Sequence, residues 1–302
     1  MSDPAPPPVP AARDGVPLVE LRDLHHTYLD ETPRASVALR GISLTIERGE
    51  RVAIVGPTMS GKSTIVDAFA HLVRLKPGMV FFRGEDIAAR DYDRAALRRQ
   101  VGILFQQPDA QIIEDVVGKD VAFGPTQAGV PAEECRRRVE ESLEALGLPY
   151  AEYRLRYIHA LSGGQRRRVA IAGVLAMHTP LLVLDEPMAG LDPRGRAELL
   201  ALLLRLKEDR GLTIVVASAS VSDAALLCDR LVVIDAGKVV MDGPIREVLK
   251  HADRLLELDI TLPDTVRCAR ALRDAFPDLP TQLLSEEELE AEIVQRLEAR
   301  AA

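Results

Sequence analysis

The chain is short of cysteine, of long apolar runs and of positive charge, and each shortage removes a class of protein. Only three cysteines occur in 302 residues, Cys135, Cys228 and Cys268, far apart and with no C-x-x-C pair. That excludes a disulfide framework and predicts unpaired thiols in a reducing compartment. The longest stretch free of Asp, Glu, Lys and Arg is Val169–Leu184, interrupted by His178, Thr179 and Pro180. A spanning helix needs about 20 predominantly apolar residues, so no membrane crossing is expected of this stretch. Lys and Arg number 38 against 46 Asp and Glu, a net charge of −8, which argues against nucleic acid as the main partner. The opening MSDPAPPPVPAARDGVP has neither the basic nor the apolar region of a secretory signal. No tandem repeats occur. These features predict a soluble, cytosolic, acidic protein of about two domains.

What is present is an alternation of short β-branched runs and longer helical patterns from Leu18 onward. Residues 1–17, with six prolines, read as a disordered tail. LVELRDL and ALRGISLTIERG read as strands, followed by the buried strand RVAIVG and a helical pattern from Ser60 to Arg74. VGILFQ, LLVLDEP, LTIVVAS and RLVVIDAG supply further strands. Strands separated by helices predict an α/β fold with a mainly parallel sheet. Between Asp109 and Met177 the patterns are helical, as in Ala132–Leu146 and Gly164–Met177, which predicts a helical insertion. After Lys250 the chain reads as short amphipathic pieces broken by Pro263, Pro277 and Pro280. The last opens with Ser285 and Glu288 as a capping box, then Leu289, Ile293 and Leu297 as a stripe that needs covering.

The strongest chemical signal is Gly56-Pro57-Thr58-Met59-Ser60-Gly61-Lys62-Ser63-Thr64, after a strand and at the start of a helix. It fits G-x-x-x-x-G-K-S/T, a loop whose backbone N–H groups and helix N-terminus cradle phosphates. Lys62 is placed for the β- and γ-phosphates, and Ser63 for Mg²⁺. The apolar run Leu181–Leu184 ends in Asp185-Glu186, carboxylates at a strand's C-terminal end. Asp185 is expected to hold Mg²⁺ and Glu186 to polarise an attacking water.

Leu161-Ser162-Gly163-Gly164-Gln165 resembles the signature of ATP-binding cassette (ABC) ATPases. Other elements of that family follow in order over residues 18–250. Tyr28 resembles the aromatic that stacks on adenine, Gln106 the Q-loop glutamine that also reaches Mg²⁺, and Ala189–Asp192 the D-loop. The resemblance implies a P-loop NTPase core with an antiparallel β subdomain and a helical subdomain at about 109–177. It also implies two ATPs sandwiched between two head-to-tail cassettes. Ser162, Gly163, Gly164, Gln165 and Asp192 then act in trans on the partner's nucleotide. A second ABC ATPase subunit is therefore expected.

A narrower resemblance, carried by Val101–Pro125, His159–Pro193 and Leu255–Ile293, is to the ATPases of energy-coupling factor (ECF) importers. It implies a transmembrane T component, a substrate-binding S component, work at the cytoplasmic face of a membrane, and a C-terminal dimerisation segment at 251–302. The cargo of such importers is a vitamin or a transition-metal ion. An ATPase of another ABC importer and a nucleotide-sensing regulator are the alternatives. A soluble ABC protein acting on ribosomes or DNA usually has two cassettes or a long coiled coil, and neither pattern occurs.

Two positions depart from the family. IVVASASVSDAA aligns with a stretch resembling IVLVSHSMEDVA, which puts Ala219 where a catalytic histidine is usual. No histidine occurs between Pro187 and Lys250. Alanine offers no donor to the γ-phosphate, and loss of such a donor costs about 10²–10³ in rate. Met59 stands where glycine is usual, which costs about 1–2 kcal/mol if the position needs positive φ. The expectation is a subunit that binds ATP, hydrolyses it slowly, and completes the site of an intact partner in a heterodimer. Arg136–Arg138 and Arg166–Arg168 read as solvated helix faces, and His25 and His26 lack the neighbours of a metal site.

Overall fold

A computed structural model describes residues 15–301. The expected tail at 1–17 therefore lies almost entirely outside the described residues. Ten strands are present among them: β1 (Val19–Tyr28), β2 (Ser36–Ile46), β3 (Arg51–Val55), β4 (Val80–Phe82), β5 (Glu85–Asp86), β6 (Val101–Leu104), β7 (Leu181–Asp185), β8 (Thr213–Ser218), β9 (Arg230–Asp235) and β10 (Lys238–Pro244). The chain divides into two compact units. The first comprises the residues up to Arg22, Leu44–Glu50 and Val66–Val215; the second comprises Asp23–Ser43, Arg51–Ile65 and Val216 onward.

In the first unit β6 and β7 pair in parallel, Val101 opposite Leu181 through Leu104 opposite Leu184. Both strands are buried throughout, which is why their sequences are continuous apolar runs rather than alternating ones. The start of β1 pairs antiparallel with β4, Val19 opposite Phe82, and β4 turns back into β5. This hairpin was not visible in the strand patterns. Its turn is only Arg83-Gly84, both at positive φ (52° and 79°), the geometry of a type I′ turn without the usual Asn-Gly. The helical insertion is built from the helices Val117–Gln127, Ala132–Ala145, Tyr150–Tyr153 and Gly163–Ala176, with the last packed on the first two. Val117, Val121, Val139, Leu143, Val169 and Ala172 are buried in this unit.

In the second unit the order is β10-β9-β3, with β9 parallel to β3 and antiparallel to β10. Val52–Val55 and Leu231–Ile234 are fully buried. β10, also missed from the sequence, follows another two-residue turn, Ala236-Gly237, at φ 44° and 79°.

The helix expected over Ser60–Arg74 is shorter, Lys62–Phe69. Its end is a Schellman motif: Leu72 N–H donates to the Asp67 carbonyl at 2.9 Å and His71 N–H to the Ala68 carbonyl at 3.1 Å. His71 sits at φ 56°, where glycine is the common stop signal, so the sequence carried no mark of the end.

At the C-terminus Ser285 and Glu288 form the expected capping box, the Ser285 backbone N–H reaching the Glu288 carboxylate. Glu288 N–H donates to Ser285 Oγ at 3.1 Å, while the Glu288 carboxylate accepts from Leu284 N–H and pairs with Arg246 at 2.6 Å. Leu289 and Ile293 of the helix Glu286–Ala301 pack, with Leu272, on the buried cluster of Ala269, Phe276 and Leu279, so most of the stripe is covered from within the chain. Leu297 is half exposed.

Candidate nucleotide site

The phosphate loop belongs to the second unit. β3 delivers Gly56 against β9: a Cβ on Gly56 would lie 2.0 Å from the Ile234 carbonyl oxygen, so only glycine fits. Gly61 has φ 109°, and a Cβ there would lie 2.8 Å from the Ala38 carbonyl. Gly237 N–H donates to the Ser60 carbonyl at 3.0 Å and fastens the loop to the β9–β10 turn. Lys62 is largely buried, its ammonium donating to the carbonyls of Gly56 (2.8 Å) and Pro57 (2.9 Å). Thr58, Met59 and Ser63 are exposed. The Ser60 hydroxyl is buried with no hydrogen-bond partner among the described residues. A glycine-bound cradle with an orphaned hydroxyl and an inward lysine fits a phosphate chain.

Met59 has φ 65° and is 93% exposed. The position does require the left-handed region, and the methionine side chain buries nothing in return.

Tyr28, at the end of β1, donates or accepts a 3.1 Å hydrogen bond with Thr64 Oγ1, and its ring meets His26 edge-on at 4.6 Å. Tyr28 is thereby tied to the helix that follows the loop. Ala219 is exposed directly after β8. Beyond it Ser220 N–H donates to Ser218 Oγ at 3.1 Å and Val221 N–H to the Thr261 carbonyl at 3.2 Å.

The remaining candidates lie in the first unit. Asp185 is buried at the end of β7, and Glu186 follows at φ 47°. A non-glycine residue there stores about 1–3 kcal/mol of strain unless its surroundings hold it. Arg167 supplies that hold. It is 8% exposed, and its Nη2 donates to the carbonyls of Glu186 (2.7 Å) and Pro187 (2.8 Å). Arg166–Arg168 is therefore not a solvated face. Arg166 donates to the Leu161 carbonyl and Arg168 pairs with Glu198, so all three guanidinium groups fasten backbone or neighbours. Nor is the other basic run fully solvated, since Arg138 bonds Glu134 and the Met177 carbonyl.

Gln106 is exposed just after β6. Gln111 clamps the chain leading to it: its amide accepts from Phe105 N–H at 3.0 Å and donates to the Ile103 carbonyl at 2.9 Å. Asp120 accepts from Ile113 and Glu114 N–H, and burial pushes its carboxyl above the ordinary range despite those donors. Sequence reading missed Arg167, Gln111 and Asp120, because each acts on backbone rather than on a ligand.

Ser162 is the N-cap of the helix Gly163–Ala176. Its Oγ accepts from Gln165 N–H, and its own N–H donates to Gln165 Oε1, a complete capping box. Tyr153 holds the Gln165 amide at 2.9 Å. Ser162, Gly163 and Gly164 are exposed, with open space beside Gly164. Asp192 is exposed and accepts from Gly195 N–H at 2.6 Å, capping the helix Pro193–Arg210.

Comparison with known proteins gives the family of the chain. The ABC transporter family matches residues 39–189. The chain is 40% identical over 256 residues to the energy-coupling factor transporter ATP-binding protein EcfA2 of Clostridium perfringens, covering 85% of this chain and 90% of that one. It is 46% identical over 253 residues to EcfA1 of Symbiobacterium thermophilum, covering 84% and 87%. Among solved structures, cbiO1 from Clostridium perfringens, described as part of the ABC transporter complex cbiONQ, matches with TM-score 0.68 and 34% identity over 87% of this chain and 96% of that one. The ABC transporter cassette MJ0796, in a dimer bound to ADP and Pi, matches with TM-score 0.67 and 29% identity over 75% and 98%.

Proposed function

The chain belongs to the ABC transporter ATP-binding family, among the energy-coupling factor transporter ATP-binding proteins, and from that premise we propose that it is the ATPase subunit of an ECF-type importer whose own site hydrolyses ATP slowly. Tyr28 and residues 56–64 bind ATP. Ser63, Gln106 and Asp185 would hold Mg²⁺, whose charge neutralises the β- and γ-phosphates. Glu186 orients the attacking water. Ser162, Gly163, Gly164, Gln165 and Asp192 act on the nucleotide of a second ABC ATPase subunit, an intact one. Residues 251–302 serve dimerisation, and the assembly sits on the cytoplasmic face of a membrane with a T component and an S component. The cargo is a vitamin or a transition-metal ion.

One observation carries the slow-site reading: β8 is followed by Ala219, a side chain with no donor, at the position of the family's histidine. The test is ATP turnover by the purified chain alone and as Ala219→His. A slow chain that gains about 10²-fold from the histidine supports the reading. Turnover at ordinary family rates by the unmodified chain alone overturns it. ATP binding without any turnover in the complete membrane assembly would favour the nucleotide-sensing alternative, which Ala219 also motivates.

A further inference from the structure

Tyr28 is held more firmly than its place in the fold requires. β1 ends with it, Leu29 follows at φ 53° and is 61% exposed, and Thr32 N–H donates to the Leu29 carbonyl at 2.9 Å, so the chain turns away at once. Tyr28 itself is 40% exposed, too open to belong to the core. An exposed side chain changes rotamer within nanoseconds unless something holds it. Two neighbours in the same unit hold this one. His26 and Tyr28 are two residues apart on β1, so their side chains leave the same face of the strand. Their rings meet at 4.6 Å with planes at 82°, the edge-to-face arrangement that aromatic pairs favour. At the far end of the ring, the Tyr28 hydroxyl and Thr64 Oγ1 share a 3.1 Å hydrogen bond. Thr64 is buried in the first turn of the helix Lys62–Phe69, two residues after the inward lysine. The phenol is therefore fastened to the segment that closes the phosphate cradle.

Resting on the reading of Tyr28 and residues 56–64 as an ATP site, we propose that Thr64 and His26 are positioning residues. They fix the Tyr28 ring as a ready platform for the nucleobase, at a set distance from the phosphates. A base stacks on an aromatic face through its own π surface. A platform ordered before the nucleotide arrives spares the side-chain ordering that binding otherwise costs, about two- to tenfold in affinity. Neither residue has to touch the base, because both act through Tyr28.

The test is calorimetric titration of the full chain with Mg²⁺-ATP and, as a base-free probe, with Mg²⁺-tripolyphosphate. Tyr28→Phe keeps the ring and removes the hydroxyl, and Thr64→Val keeps the shape and removes its partner. Each should weaken ATP about two- to tenfold. The double variant should be no weaker than the weaker single one, since the same hydrogen bond is lost in all three. Thr64→Ser, which keeps the hydroxyl, should bind ATP like the unmodified chain. His26→Ala should weaken ATP by a similar factor and leave tripolyphosphate unchanged, and His26→Phe should recover ATP affinity. Unchanged ATP affinity in Tyr28→Phe overturns the role of Thr64. Unchanged ATP affinity in His26→Ala, or an equal loss of ATP and tripolyphosphate, overturns that of His26. Tyr28→Ala separates these failures from failure of the ATP-site reading. If it binds ATP like the unmodified chain, Tyr28 is no base platform and both fall; if it weakens ATP while Tyr28→Phe and His26→Ala do not, only the positioning roles fall.

Discussion

Replacing Arg167 by methionine tests how the strained residue after β7 is held. The arginine is 8% exposed and makes two charge-assisted hydrogen bonds, to the Glu186 and Pro187 carbonyls. Methionine fills similar space but leaves both acceptors without that donor. The Glu186 carbonyl keeps one, since Ala189 N–H also reaches it at 3.1 Å. Each bond to a charged group is worth about 1.5–3 kcal/mol, and removing a buried cation recovers part of that as relief of desolvation. The net cost should be about 2–4 kcal/mol. At about 2–4 °C per kcal/mol for a body of this size, the melting midpoint should fall by about 4–16 °C. The slow turnover of the chain alone should fall further than stability explains, because Glu186 is then free to leave φ 47°. Thermal unfolding and ATP turnover by the chain without an intact partner, both measured at a temperature where the variant remains folded, separate the two effects. Arg167→Lys should recover part of each. A variant with an unchanged midpoint and unchanged turnover would refute the assignment of Arg167 as the clamp.

Met59→Gly should stabilise the chain by about 1 kcal/mol in urea unfolding, since strain at φ 65° outweighs the extra unfolded-state freedom of glycine. Gly56→Ala should cost about 1–3 kcal/mol through the clash with the Ile234 carbonyl and abolish binding of a fluorescent ATP analogue. The Arg246 guanidinium holds the Glu288 carboxyl below its usual range, so this pair stabilises above the unfolded carboxyl pKa and fades as pH falls through the lower folded value. The melting difference between wild type and Glu288→Gln should therefore be full above the ordinary carboxyl range and shrink steadily as pH falls below it. A difference that grows with acid would reverse the sign of that linkage.

Strands buried on both faces, such as β3, β6, β7 and β9, were legible because four to six consecutive apolar residues mark them. The residues of the phosphate loop and the signature were legible because each is a contiguous pattern of fixed spacing at the start of a helix. β4, β5 and the end of the helix Lys62–Phe69 were not, because Arg83 and His71 adopt left-handed conformations that a sequence normally marks with glycine or asparagine. Arg167 was misread for a different reason. Its neighbours Arg166 and Arg168 make a charge run, and nothing in a charge run reveals that one member turns inward to two carbonyls. Gln111 and Asp120 were invisible on the same grounds, as their partners are backbone groups set by the fold.

The asymmetry between the two halves of the chain's chemistry is the central claim, and one comparison reaches it directly. The chain is paired with an intact ABC ATPase subunit, and turnover is measured with Ser162→Arg and, separately, Glu186→Gln in this chain alone. Ser162→Arg is expected to lower turnover about 10²-fold, by blocking the exposed cap proposed to serve the partner's nucleotide. Glu186→Gln, in the site proposed to be slowed by Ala219, is expected to lower turnover by less than about twofold. The opposite ranking contradicts that claim.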